Sequence, residues 1–408
     1  MEKSKKRKDS DSSDDYDGSQ GIDDSEYANK ILNNTNEKSA KDIMFEIMKN
    51  NKRPINQVPQ KPNPINPSNN ISNINPQTKS TNPSKPAEPK KEEQIIKNDV
   101  ITIKDKNEEW SEMLNNYENY KNSSKLKKLT RNGIPNNYRC RAWKLFLDYD
   151  EHYKPGLFEK LVKDGKEETE NEKEIQRDLN RTFPENSFFK KKGGQGQKEL
   201  FHVLLAYSRY SKKTGYVQGM GYIAAFLLTY MPPESAFFML DLIIKKNNLI
   251  ELYSSGFPGL NKCFYVFLGL IRKYTKNVYN CFVANSIFPS MFATEWFMTL
   301  FAKELDFSIL CRVFDAFLHE GFKVIYRFAS AFIIVKEKEI LAADSNGMMG
   351  ILQLIKKLLN NLDGDTVIKI AYNLSLSHKF VEKMEKEYEE QLKVPEDKRN
   401  DIIKLVLP

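Results

Sequence analysis

Two short segments about forty residues apart carry side chains suited to chemistry on a phosphate group. Residues 175–182 read Ile-Gln-Arg-Asp-Leu-Asn-Arg-Thr, and residues 216–220 read Tyr-Val-Gln-Gly-Met. The guanidinium of Arg181 stays charged at working pH, and its planar fork fits phosphate oxygens. The amide of Gln218 both donates and accepts hydrogen bonds, which suits it to orient a water. Because neither group is a nucleophile, the pair predicts catalysis by positioning and electrostatics.

Arg181 also has a plainer interpretation as a surface arginine in a helical ion-pair network. Asp178 lies one helical turn before it and is expected to brace it. The helix is expected to end at Pro184, because the residue before a proline avoids helical angles. An arginine near a helix end can project into a partner's site.

Gln218 likewise has two interpretations. It stands between Tyr216 and Gly219, just before an apolar helix predicted to begin near Met220. Glycine permits a tight backbone at such a point. A glutamine there can orient a water for a partner, or it can simply cap the helix.

The elements that must position these residues are predicted to be helices. From Trp110 onward, apolar residues recur every three to four positions, and alternating strand patterns are scarce. Pro135 and Pro233 suit first helical turns, whereas Asn247 and Gly256 suit helix ends or loops. The pattern predicts an all-α domain from about residue 100 to 395. Three amphipathic helices are marked by Leu200, Val203, Leu204 and Tyr207, by Phe237, Leu240 and Ile244, and by Phe264, Phe267, Leu268 and Ile271.

Composition divides the chain of 408 residues into a polar tail and a core-forming remainder. Residues 1–98 are rich in Lys, Ser and Asp and then in Asn and Pro, which predicts a disordered tail. Most of the 19 Tyr and 25 Phe residues follow residue 109. The start of the chain is charged and does not resemble a secretory signal. Four scattered cysteines fit reduced thiols in a cytoplasmic protein.

Several functional classes are disfavoured by the sequence. The longest apolar runs are shorter than the ~18 residues that a membrane span needs, so any membrane contact is expected to be indirect or peripheral. Four histidines and four cysteines form no ligand pattern, so no metal site is expected. A net charge of +8 is modest, and no basic helix face points to nucleic acid, although residues 5–8 are basic.

The two segments belong to an ordered set of motifs. Upstream lies Gly-Ile-Pro at 133–135, followed by Arg139 and Trp143, and downstream lie Trp296, Asp315 and a glycine at 321. In type and order this set resembles the TBC domain of Rab GTPase-activating proteins. The sequence departs from that family's pattern at Val217, where cysteine is frequent, and at residue 221, where a glycine replaces the common asparagine or serine.

The resemblance implies a TBC-type domain of two helical subdomains. It places the TBC domain over 133–335. The helical pattern predicts a lead-in over 99–132 and C-terminal helices over 336–408 that complete the domain. Arg181 would be the arginine finger and Gln218 the glutamine finger. The expected supporting or structural residues are Arg139, which would pair with Asp178, together with Tyr216, Gly219, Trp143, Trp296 and Asp315, the last paired with Arg312.

The implied function is activation of GTP hydrolysis on a GTP-bound Rab-type GTPase in vesicle traffic. The chain would hydrolyse no nucleotide itself and would bind no cofactor, because GTP and Mg²⁺ belong to the partner. It would be cytoplasmic and would reach endomembranes through the Rab. The alternative is a non-catalytic Rab-binding adaptor or scaffold. Retention of both finger residues favours catalysis, since a pure binder needs neither.

Overall fold

A computed structural model describes residues 106–164, 169–359 and 362–407, and these residues are helical with no strand among them. The predicted tail over 1–98, with its basic run at 5–8, lies outside the described residues. The first half holds α1 (106–115), α2 (Tyr117–Tyr120), α3 (Ser124–Arg131), α4 (Asn136–Phe146), α5 (Tyr149–His152), α6 (Leu157–Lys163), α7 (Glu170–Leu179), α8 (Gln195–Tyr210), α9 (Met220–Leu228) and α10 (Pro233–Lys246).

The second half continues the helical pattern to the end of the described chain. It holds α11 (Pro258–Tyr274), α12 (Lys276–Ala284), α13 (Thr294–Met298), α14 (Phe307–Glu320), α15 (Lys323–Val335), α16 (Glu337–Ala342), α17 (Gly347–Leu358), α18 (Gly364–Asn373), α19 (His378–Leu392) and α20 (Asp401–Val406). Short 3-10 turns lie at Pro289–Met291, Ala343–Asn346 and Glu396–Lys398. The prediction of an all-α fold is confirmed.

Local sequence signals explain several helix boundaries. The side chain of Thr169 caps α7 by accepting a hydrogen bond from the backbone N–H of Glu172. Pro233 and Pro258 occupy the first turns of α10 and α11, where their missing N–H costs no hydrogen bond. Gly321 ends α14 with a φ of +83°, a conformation that glycine adopts without strain.

The helices form two packed groups. In the first, α8 contacts α6, α7, α9 and α10. Helix α9 is apolar almost all round and buried on all sides except at Tyr222, which makes it the centre of this group. In the second, α11 contacts α12, α13, α15, α19 and α20. Helix α14 contacts α3, α4 and α15.

A cluster of charges ties α14 to its neighbours. Glu320, at the end of α14, accepts two hydrogen bonds of 2.6 Å from Arg131 of α3, one from Nε and one from Nη2. Lys127 Nζ lies 3.5 Å and Arg327 Nη1 3.6 Å from the same carboxylate. Burial alone would raise the pKa of Glu320, but these cations outweigh it and lower the pKa below its ordinary value.

The helices beyond residue 336 pack on the rest of the domain. Helix α18 contacts α15, and α19 and α20 contact α11. At Gly269 of α11, an added Cβ would lie 2.4 Å from Cε of Met384, so the flexible tip of this α19 side chain fills the space beside the glycine. Within the described residues, none of these helices is long and apolar enough to cross a membrane.

Candidate functional site

Arg181 lies just beyond the end of α7, on an exposed turn. The helix stops at Leu179, earlier than the predicted end at Pro184, and the backbone N–H groups of Arg181 and Thr182 bond carbonyls only three residues back. Phe183 then adopts a φ of +45°, at which no helix can continue. The hydroxyl of the buried Thr182 donates to the carbonyl of Asp178 over 2.8 Å and fixes the turn. The Arg181 side chain remains 48% exposed.

A chain of two short hydrogen bonds stands behind the arginine. Arg181 Nη2 lies 2.6 Å from Asp178 Oδ1. The other carboxylate oxygen, Oδ2, accepts the hydroxyl proton of Tyr216 at 2.6 Å. Burial, with the hydrogen bond to Asp178, raises the pKa of Tyr216, so the phenol stays protonated and remains a donor. The aspartate therefore has one partner from each of the two sequence segments.

The charge and the backbone of the arginine are also held. Partial burial would lower the pKa of Arg181, but the hydrogen bond and the charge of Asp178 raise it. The hydroxyl of Tyr222, in the first turn of α9, donates to the backbone carbonyl of Arg181 over 2.9 Å. The turn that carries the guanidinium is thus anchored on α9 as well as on α7.

Gln218 is exposed and stands directly before α9, which begins at Met220 as the sequence predicts. The N-cap position belongs to Gly219, and no side chain caps this helix. Gly219 has a φ of +110°, and an added Cβ would lie 2.9 Å from the backbone oxygen of Met298. Both observations require glycine at this position. The close approach to α13 fixes the direction in which the segment with Gln218 enters the helix.

Gly221, where the sequence departs from the family pattern, lies inside α9. An added Cβ would approach Thr182 Oγ1 and the Tyr216 hydroxyl oxygen, each at 3.4 Å. These are ordinary contact distances, so an alanine would also fit beside the two residues that hold the arginine turn.

Arg181 and Gln218 line one open cleft of about 510 Å³. The walls come from the end of α7, the segment before α9, the start of α11 and the region of α13. The lining side chains that sequence reasoning missed include Tyr222, Phe257, Glu174, Glu295, Thr299 and Lys303. Tyr222 alone had a visible signal, since it is a polar tip in an otherwise apolar helix. Glu174 lies on α7, seven residues before Arg181, and the other four come from distant parts of the chain.

Two carboxylates give the cleft a mixed charge. Glu295 hydrogen-bonds Lys303. Burial would raise the pKa of Glu295, but Lys303 lowers it, so this group is ionised in the cleft at neutral pH. Burial, together with the charge of Asp178, raises the pKa of Glu174. Arg181 and Lys303 are the basic side chains among the residues that line the cleft in the described chain.

Arg139 does not pair with Asp178, and that prediction is wrong. Its Nε donates to Oδ1 of Asp315 on α14 at 3.1 Å. Burial would lower the pKa of Arg139, but the charge of Asp315 outweighs it and raises the pKa. Asp178 is instead bound by Arg181 and Tyr216. Arg139 therefore joins α4 to α14 and does not hold the turn that carries Arg181.

Asp315 is fully buried, and its partner differs from the predicted Arg312. Besides Arg139, its carboxylate accepts hydrogen bonds of 2.9 Å from Nε1 of Trp143 and from the backbone N–H of Ile134. Arg312 Nη2 instead donates to the backbone carbonyl of Arg131 at 2.8 Å. Ile134, Arg139 and Trp143 thus form one buried network with Asp315 of α14, and none of these residues lines the cleft.

Trp143 and Trp296 are both buried. The ring of Trp143 packs edge-on against Tyr230, with ring centroids 4.8 Å apart. The ring of Trp296 lies 5.4 Å from that of Phe292 in the same manner. These tryptophans support the two groups of helices and do not line the cleft.

The fold and the cleft together define an all-helical domain that exposes an arginine and a glutamine at one site, and known proteins share this architecture. Residues 136–341 match the model of the Rab-GTPase-TBC domain. The crystal structure of the Chlamydomonas flagellar RabGAP TBC domain superposes with a TM-score of 0.55 over 70% of this chain and 96% of that one, at 23% identity. At that identity the likeness shows the fold alone.

Two curated relatives extend the likeness to sequence. The human Ecotropic viral integration site 5 protein homolog is 32% identical over 283 residues, which are 68% of this chain and 34% of the relative. The Rab GTPase-activating protein eat-17 of Caenorhabditis elegans is 32% identical over 281 residues, 68% of this chain and 31% of the relative. The chain belongs to the Rab-GTPase-TBC family. It spans about a third of the length of these relatives.

Proposed function

We propose that this protein docks on a GTP-bound Rab-type small GTPase and accelerates GTP hydrolysis in trans. The observation that carries the proposal is the joint exposure of Arg181 and Gln218 in one open cleft. Membership of the family and the activity named for the relative, the Rab GTPase-activating protein eat-17, support the same partner class.

Arg181 would supply charge to the transferring phosphoryl group. On docking, its guanidinium would donate hydrogen bonds to phosphate oxygens while Asp178 keeps the side chain oriented. Little reorganisation is then needed at the moment of reaction. Arginine fingers of this kind are worth about 10³ to 10⁵ in rate, or roughly 4–7 kcal/mol of barrier.

Gln218 would orient the attacking water. The amide carbonyl can accept a hydrogen bond from that water while the NH₂ group donates a hydrogen bond to a phosphate oxygen. The close approach of Gly219 to the backbone of α13 would hold the backbone of Gln218 in place. GTP and Mg²⁺ would be contributed by the GTPase, and contact with endomembranes would pass through it.

The test is single-turnover GTP hydrolysis by a panel of purified GTP-loaded Rab proteins, with and without this protein. Arg177 provides a matched control, because its side chain is 68% exposed on α7, four residues before the finger. We expect acceleration on one or a few Rabs, lost in Arg181→Ala and kept in Arg177→Ala. Binding of GTP-loaded Rab without any acceleration would favour the adaptor alternative, which retention of both side chains argues against.

A further inference from the structure

Phe257 lines the same cleft as the two finger residues and has an unusual backbone. It precedes α11 with a φ of +51° and a ψ of +48°, the left-handed region. That region is costly for a bulky side chain, and a residue before a proline prefers extended angles. The residue is 42% exposed, although phenylalanine is among the largest apolar side chains.

The surrounding backbone holds Phe257 in this conformation. The N–H of Phe257 donates to the carbonyl of Ser254 at 2.9 Å, and the N–H of Leu260 donates back to the carbonyl of Phe257 at 3.0 Å. At Gly259, an added Cβ would lie 2.4 Å from the backbone nitrogen of Leu252, so the first turn of α11 is locked against the preceding turn. Strain persists only where the surroundings determine it this strongly.

Two other phenylalanines in the described chain share a positive φ, and both are packed. The ring of Phe183 lies 5.4 Å from that of Phe307, and the buried ring of Phe301 lies 5.2 Å from that of Phe332. Their contacts offset the backbone cost. The exposed part of Phe257 has no such packing to offset its backbone cost. Among the described residues, Phe257 is the one exposed large apolar side chain that lines the cleft.

We infer that Phe257 is an apolar anchor for the GTP-bound GTPase, which would cover its ring and offset the strain only in the complex. This inference rests on the proposed function, because the anchor shares its cleft with Arg181 and Gln218. Aromatic side chains buried at the centre of an interface contribute much of the binding energy and exclude water from neighbouring polar contacts. The occupant is thus an apolar side chain of the GTPase surface beside the nucleotide.

The test compares Phe257→Asn with wild type and with Leu392→Asn as control. Asparagine adopts left-handed angles more readily than phenylalanine, so this variant removes the ring without adding strain. Leu392 is 43% exposed at the end of α19, outside the cleft lining. The readouts are the protein concentration that half-saturates single-turnover hydrolysis on the responding Rab, the maximal rate, and the thermal midpoint.

We expect Phe257→Asn to raise the half-saturating concentration about tenfold or more, with a maximal rate within about threefold of wild type and an equal or higher thermal midpoint. Leu392→Asn should leave all three unchanged. An unchanged half-saturating concentration in Phe257→Asn overturns the inference. A lowered midpoint with reduced maximal rate assigns the ring a structural role and also overturns it.

Two further outcomes separate this inference from the proposed function. If wild type binds a GTP-loaded Rab without accelerating hydrolysis, catalysis fails, and weaker binding by Phe257→Asn still supports the anchor. If wild type is a dimer in light scattering and Phe257→Asn is a monomer, the ring covers a second copy of this chain and the inference is overturned.

Discussion

At the scale of single residues, the arrangement around Asp178 links the two catalytic candidates before any partner arrives. Its carboxylate contacts Arg181 through one oxygen and Tyr216 through the other, each at 2.6 Å. Tyr216 lies two residues from Gln218, so one buried aspartate holds both segments. A side chain that is already oriented loses less entropy when it engages a transition state.

Replacing Arg181 with lysine should fail almost as badly as replacing it with alanine. Lysine keeps the charge but loses the planar fork that spans two oxygens, so most of the rate factor of about 10³ to 10⁵ should disappear. The measurement is single-turnover hydrolysis on the responding Rab, with Arg177→Lys as control. Turnover close to wild type in the Arg181→Lys variant would remove the assigned role.

Gln218 should work even when the GTPase lacks its own catalytic glutamine. We expect wild type to accelerate hydrolysis by a Rab whose switch glutamine is replaced by leucine, because the water would be oriented from this chain. Gln218→Ala should abolish that acceleration. The idea fails if the leucine Rab does not respond to wild type while the unmodified Rab does.

The residue scale also shows what a sequence can and cannot reveal. Arg181 and Asp178 are three positions apart, so their ion pair follows from local spacing. Arg139 and Asp315 are separated by 176 positions, and only tertiary packing decides that they meet. Phe257 carries no sequence signal, because its exposure and its left-handed backbone arise from how α11 packs.

At the scale of elements, α14 joins the amino-terminal helices to the later ones. Its middle carries Asp315, which binds α4 through Arg139 and Trp143, and its end carries Glu320, which binds α3. The motif residues at 133–143 thus stabilise the frame around the cleft. Gly133 lets the Arg312 side chain of α14 lie against the backbone at this position, since an added Cβ would lie 2.7 Å from Cδ of Arg312.

Helix periodicity predicted the existence of these elements better than their ends. The three amphipathic helices lie within α8, α10 and α11, because a 3.6-residue apolar repeat encodes a buried face. The end of α7 was predicted at Pro184 but lies at Leu179. The turn that carries Arg181 is set by Phe183 and by contacts with α9, which no local pattern contains.

Glu320→Gln should destabilise the fold at neutral pH by about 3 kcal/mol, because it leaves Arg131 and Arg327 without a buried counter-charge. The folded pKa of Glu320 lies below its ordinary value, so its contribution is present above an unfolded pKa of about 4.3 and is lost as pH falls through the folded value. The gap between wild type and variant should therefore shrink on acidification below about pH 4.3.

Urea unfolding at neutral pH and at about pH 3, well below the unfolded pKa, measures this gap. Glu339→Gln is the control, since Glu339 pairs with Lys336 on the surface with 52% of its side chain exposed. A gap between wild type and Glu320→Gln that stays constant across this range would show that the carboxylate charge is not what stabilises the junction.

At the scale of the whole molecule, the residues of the cleft and the polar residues 1–98 belong to different parts of the chain. Residues 1–98 hold few apolar side chains, and every residue that lines the cleft lies beyond them in the chain. Deleting them should leave helical content and hydrolysis on soluble Rab unchanged. Circular dichroism and the single-turnover assay check this, and a fall in either would show that the folded domain depends on the tail.

The central claim is that two side chains of this protein act together on a partner's GTP. The most direct measurement is the single-turnover hydrolysis rate at saturating protein for wild type, Arg181→Ala, Gln218→Ala and the double variant, each first shown to bind the GTP-loaded Rab. The account predicts that either single change removes most of the acceleration and that the double change costs little more, because residues that act as a unit are not additive. Acceleration that survives in the double variant would contradict it.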